Sequence, residues 1–158
     1  MVDIPEVSMP IDPYSIFHPK ASILLSAGVN LSSKLDEPLT RDMLIKHLAA
    51  AAGTSTAQFT IRDAFEMLEC AIVAHIQQND RAASQQLPDL IATYPGLPTH
   101  TVRSELQVSR QQFSTPAPLA LFAQARAALT AEDFVLEPSA GTGLLATEAL
   151  RLGAMLRL

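Results

Sequence analysis

The chain has 158 residues, 48% of them hydrophobic and 17% charged, which is the profile of one soluble domain rich in Ala and Leu rather than a disordered or fibrous chain. A net charge of −5 excludes a global basic field that would draw the chain to nucleic acid, and a single cysteine, Cys70, excludes an intramolecular disulfide. The N-terminus carries acidic residues and prolines where a signal peptide needs positive charge and an apolar helix, and no window reaches the ~18 apolar residues of a membrane span. The chain therefore reads as cytoplasmic, with no membrane partner.

Residues 1–37 carry Pro5, Pro10, Pro13 and Pro19 and no sustained hydrophobic period. They read as an extended arm, with one helical turn around Ala21 to Ala27. A helical region follows over 38–110. Thr40 can cap a helix in which Met43, Leu44, His47, Leu48 and Ala51 share a face, and Gly53 can close it. A second helix starts at Thr60, where Asp63 stands in the place of the Glu of a capping box. Ile61, Phe65, Leu68, Ile72 and Ile76 form its apolar stripe. Cys70, in the apolar run Leu68 to Val73, reads as a small buried hydrophobe. His47 and His75 read as satisfied helix histidines, because no metal-ligand spacing surrounds either. Leu87 to Tyr94 predicts a short helix, Tyr94 to Pro98 a turn, and Thr99 to Ser109 another short helix.

From residue 111 the pattern changes. Pro118 suits the first turn of a helix over Leu119 to Leu129, marked by Leu119, Phe122, Ala123, Arg126 and Leu129. Asp133 to Glu137 predicts a short strand, Pro138 to Gly141 a turn, and Leu144 to Leu152 a helix stopped by Gly153. Ala154 to Leu158 predicts a second strand. Strand, glycine-rich turn, helix and strand make the first βαβ unit of a nucleotide-binding fold. The expected fold class is thus a mainly α N-terminal part followed by the start of an α/β Rossmann-like fold, incomplete.

The turn Glu137-Pro-Ser-Ala-Gly-Thr-Gly143 puts glycines where a ligand approaches backbone and offers N–H groups at a helix N-terminus. A P-loop needs a lysine after the last glycine, and none follows Gly143. Gly141, Gly143 and Ala146 satisfy the weak dinucleotide pattern, so that reading stays open. Glu137 at the strand end weighs toward a cationic ligand, since a carboxylate repels a pyrophosphate and attracts an ammonium.

LEPSAGTG, Leu136 to Gly143, resembles the first S-adenosylmethionine motif of methyltransferases acting on adenine in DNA, in the permuted order where an F-x-T-P-type motif precedes it. That second motif is similar to Gln112-Phe-Ser-Thr-Pro116. The wording QQFSTP, a helix, then VLEPSAGTGLLA also resembles the methyltransferase-like N-terminal part of bacterial strawberry-notch-type helicase proteins. The resemblance implies that Phe113, Ser114, Thr115 and Pro116 wall the methionine end of S-adenosylmethionine. It implies that Glu137, Pro138, Gly141 and Gly143 line its amino and ribose side, with Ser139, Ala140 and Thr142 completing the turn. DNA is the partner it implies for a full-length parent.

The family's Asn/Asp-Pro-Pro-Tyr/Phe motif, which holds the target amine while its ring stacks on the flipped base, does not occur in this sequence. The expectation is an N-terminal fragment, residues 111–158 being a truncated cofactor-binding segment, inactive alone and open to a complementary C-terminal chain. The rival expectation is a small helical interaction module that keeps the turn without using it.

Overall fold

The computed structural model describes residues 20–99, 114–138 and 140–157. It is mainly helical, with one two-stranded parallel sheet among the described residues. The helices are α1 (Ala21–Leu31), α2 (Arg41–Ala51), α3 (Ile61–Gln77), α4 (Ala83–Thr93), α5 (Ala117–Ala127) and α6 (Thr147–Leu152). The strands are β1 (Phe134–Leu136) and β2 (Met155–Arg157), paired in the register Phe134↔Met155, Val135↔Leu156 and Leu136↔Arg157. The short helix predicted over Thr99 to Ser109 falls, from residue 100 on, outside the described residues.

Of the arm predicted for 1–37, residues 1–19 lie outside the described residues, and the one helical turn expected around Ala21 to Ala27 is the full helix α1. Leu24, Ala27, Gly28 and Leu31 recur at helical spacing and are buried, so this segment is core rather than extended tail. It crosses α3 closely because Gly28 has no side chain. A Cβ built there would meet the Cβ of Cys70 at 2.7 Å and the Met67 carbonyl oxygen at 2.9 Å. Cys70 is half-buried at this crossing, and burial, with Glu69 and Glu66 beside it, pushes its thiol up to about 11, so it stays a thiol at neutral pH.

α2 and α3 begin as the sequence predicts. The Thr40 hydroxyl accepts from the Met43 N–H at 3.3 Å, and Gly53 at φ +64° follows the last turn of α2. At α3 the Thr60 hydroxyl accepts from the Asp63 N–H at 3.2 Å while the Asp63 carboxylate accepts from the Thr60 N–H at 2.7 Å. Lys20 reaches the same carboxylate at 2.8 Å, which ties the start of α1 to the start of α3. The two histidines settle on backbone carbonyls, His47 Nε2 on Ala27 at 3.2 Å and His75 Nδ1 on Ser32 at 3.1 Å.

Two elements depart from the expectation. α4 starts at Ala83 rather than Leu87, so Pro88 lies inside it. The Gln86 amide donates to the Arg81 carbonyl at 2.6 Å, and the Gln85 side chain accepts from the Ala82 N–H at 3.1 Å, which together fix the early start. α5 starts two positions earlier than predicted and buries Ala117, Ala120, Leu121 and Gln124. Leu119 and Phe122, which marked the predicted helix, are 60% and 52% exposed. The small-residue face wins because it packs closely on α4 and receives Leu144 from the turn. One hydrophobic cluster runs without a break from Leu24 to Leu144, so the glycine-rich turn sits on the same core as the N-terminal helices.

Candidate ligand site around the glycine-rich turn

β1 delivers the chain to the turn. The parallel ladder runs from the Met155 N–H to the Asp133 carbonyl at 3.1 Å and from the Glu137 N–H to the Arg157 carbonyl at 2.9 Å, so Glu137 closes the strand. The Gly143 N–H then donates to the Ala140 carbonyl at 2.7 Å, making a tight turn whose first central residue, Gly141, has φ +54°. Gly143, at φ +85°, opens the helical segment that follows. Both angles lie in the region that side-chain-bearing residues avoid, which explains why this turn holds glycine at both places. The helix predicted over Leu144 to Leu152 forms as a 310 turn, Leu144–Ala146, leading into α6.

A buried glutamine fixes the helix start. Gln124, 4% exposed, donates its two amide protons to the carbonyls of Ala120 and Leu144 at 3.1 and 3.0 Å. Its oxygen accepts from the Thr147 hydroxyl at 2.8 Å and the Glu148 N–H at 2.6 Å. The amide thus spends its full hydrogen-bonding capacity between α5 and the first turn of α6. Gln77, at the end of α3, adds a bond to the Thr147 carbonyl at 2.8 Å. Glu148 in turn accepts from the Ala83 N–H at 3.3 Å and from Arg151 at 2.8 and 2.9 Å, and the Arg151 bonds hold its carboxyl below the usual range.

The predicted site residues meet at a residue the sequence reading did not single out. Thr142 Oγ1 donates to Glu69 Oε2 at 3.4 Å, and the Ser114 side chain lies beside the same carboxylate and favours its anion. The second motif and the glycine-rich turn therefore converge on α3. Tyr94 lies beside the Ala117 backbone at the start of α5, just after Ser114-Thr-Pro116. Burial raises the Glu69 carboxyl above the usual range and Glu66 raises it further, against the bonds from Ser114 and Thr142 that favour the anion. Thr115, Pro116, Pro138 and Gly141 are exposed, while Glu137, Ala140 and Thr142 are half-buried and Gly143 is buried. Phe113 and Ser139 lie outside the described residues. The sequence signal for Glu69 was available: a carboxylate inside the apolar run Leu68 to Val73 needs a partner there.

The arrangement is a glycine turn and a helix start with Glu69 bonded to Thr142 and Glu66 near it, and with Glu137 half-buried where β1 ends. Among the described residues no group of three or more His, Cys, Asp and Glu could hold a metal ion. No described helix is long and apolar enough to cross a membrane. No family model matches the chain, and neither the curated proteins nor the solved structures contain a match.

Proposed function

We propose that the segments Ser114–Pro116 and Glu137–Gly143 form the front of an S-adenosylmethionine site, in the N-terminal part of a methyltransferase-like protein acting on adenine in DNA. The observation that carries this reading is the convergence of Ser114 and Thr142 on Glu69. Two motifs separated by a whole helix have reason to meet when they wall one ligand. The sign of the site agrees. Carboxylates beside the turn favour the ammonium and sulfonium of adenosylmethionine and disfavour the pyrophosphate of a dinucleotide, since unit charges about 4 Å apart interact by several kcal/mol near a protein surface. DNA and a complementary C-terminal chain are the partners this reading implies.

Titration of the 158-residue protein, followed by amide chemical shifts, tests it. Adenosylmethionine is expected to bind weakly but saturably and to shift residues 114–116 and 137–143, while a nicotinamide dinucleotide leaves them in place. Gly141→Val, which forces a β-branched residue to φ +54°, is expected to abolish the shifts. Glu137→Ala is expected to weaken binding roughly 10- to 150-fold, as loss of one charge-assisted hydrogen bond at ~1.5–3 kcal/mol implies. Dinucleotide binding in place of adenosylmethionine, or no shift at millimolar ligand, removes the reading. Methyl transfer is not expected from this chain, which lacks the Asn/Asp-Pro-Pro-Tyr/Phe group that would hold the amine. Labelled methyl appearing on DNA with the purified chain alone would contradict that.

A further inference from the structure

We propose that Glu69 is a positioning residue of this site, its carboxylate bridging Ser114 and Thr142 so that α3 of the helical part sets the spacing between the two ligand-facing segments. The inference rests on the ligand reading above but goes beyond the two motifs, which contain no residue of the helical region. Three observations carry it. The carboxylate lies half-buried on a helix of the common core, so it is a fixed point rather than a mobile surface acid. Its two hydroxyl partners come from the two segments and from nowhere else on α3, so neither bond stabilises its own helix. Eight positions along α3, the Gln77 amide donates to the Thr147 carbonyl at the start of α6, so one helix touches the turn from its middle and the helix after it from its end.

The chemistry of the bridge is specific. An ionised carboxylate is acceptor-only and can take both hydroxyl protons at once, whereas a protonated one becomes a donor and competes with them. The groups facing it are Glu66 and Cys70 from α3, Tyr94 from the turn after α4, Ser114 before α5, and Thr142. None of these is a cation. The two hydroxyls offset part of the cost of ionising Glu69 in its buried setting, and the bridge is strongest when both are present.

Amide hydrogen exchange on the whole chain, corrected for intrinsic rates, reads the bridge without reference to any ligand. Glu69→Ala is expected to speed exchange about tenfold in both 114–120 and 140–146 while α1 and α2 are unchanged, and Glu69→Gln to recover part of that protection. Should Glu69→Ala fail to fold, the hydroxyl variants decide. Ser114→Ala should loosen 140–146 and Thr142→Ala should loosen 114–120, each acting across the carboxylate. Loosening confined to the substituted segment, or spread equally over α1 and α2, overturns the proposal. Adenosylmethionine affinity is then compared in the same proteins, with a loss of about tenfold expected for Glu69→Ala and less for Glu69→Gln. Cross-segment loosening without any adenosylmethionine binding would leave the bridge supported and remove the ligand reading alone.

Discussion

Thr142 stands 3.4 Å from Glu69, a residue 73 positions earlier, and this one contact joins the glycine-rich turn to the longest described helix. It also makes a prediction about pH. The Glu69 carboxyl is raised by burial and by Glu66, so over the window from the ordinary glutamate value of about 4.3 up to its raised value the native chain holds more protons than the unfolded one. The sign follows: this group's contribution to stability is full below the ordinary value and is lost as pH rises through the raised one. Glu69→Gln should flatten the fall in stability across that window, measured as urea midpoints in a pH series. Identical slopes for the two proteins would show that Glu69 does not titrate between folded and unfolded states as described.

Asp63 works in the opposite direction. Burial alone would raise its carboxyl, but the bonds from Lys20 and from the N–H and hydroxyl of Thr60 outweigh it and leave it lowered. Its contribution is therefore present above the ordinary aspartate value and is lost as pH falls through the lowered one. Asp63→Ala removes the capping box and leaves Lys20 without this partner, at a cost of about 2–4 kcal/mol. Chemical denaturation at neutral pH is the measurement, and a loss under about 0.5 kcal/mol would mean the group is a surface cap only.

Gln124 should prove the most sensitive polar residue of the C-terminal part. Gln124→Leu keeps the bulk but takes the acceptor from the Glu148 N–H and one partner each from the Leu144 carbonyl and the Thr147 hydroxyl, which keep only their mutual bond at 3.2 Å. An unsatisfied buried group costs ~1–3 kcal/mol, so a loss of about 1–3 kcal/mol is expected. Exchange protection should fall over residues 140–152 and hold in α1 to α3. A neutral substitution would mean that water replaces the amide.

How much of this was legible follows the punctuation of the sequence. The βαβ unit was readable because Gly141, Gly143 and Gly153 mark its turns and Asp133 to Glu137 is short and apolar. α2 and α3 were readable from their caps at Thr40 and Thr60. α1 was obscured because its buried face includes Ala27 and Gly28, small residues that carry little hydrophobic signal yet allow the close crossing with α3. On α5 the large apolar residues pointed the wrong way for the same reason, the small face with Gln124 being the one that packs. The site itself was half legible. Its two motifs are local strings, whereas Glu69 is marked locally only as a carboxylate in an apolar run, and its partner comes through tertiary packing across 73 positions.

The sheet supplies the last prediction. Val135 and Leu156 turn inward and are half-buried, whereas Phe134, Leu136 and Met155 are 60%, 61% and 67% exposed on the other face. Phe134 and Met155 are register partners, so their side chains make one apolar strip rather than scattered residues. Two paired strands are marginal alone, and among the described residues each has one edge without a neighbouring strand. Face-to-face packing of two copies buries the strip, and edge-to-edge pairing extends the ladder, so both open surfaces favour association. The protein is therefore expected to sediment as a concentration-dependent mixture of monomer and oligomer, with α2 and α3 folded throughout. Replacing the strip by an opposite-charge pair, Phe134→Lys with Met155→Glu, keeps a favourable cross-strand contact while removing the apolar area. That double variant should shift toward monomer at equal concentration without losing helical signal. A wild-type chain that sediments as a single monomer at every concentration, and unfolds in one cooperative step including β1 and β2, would show that the exposed face is stable as it stands.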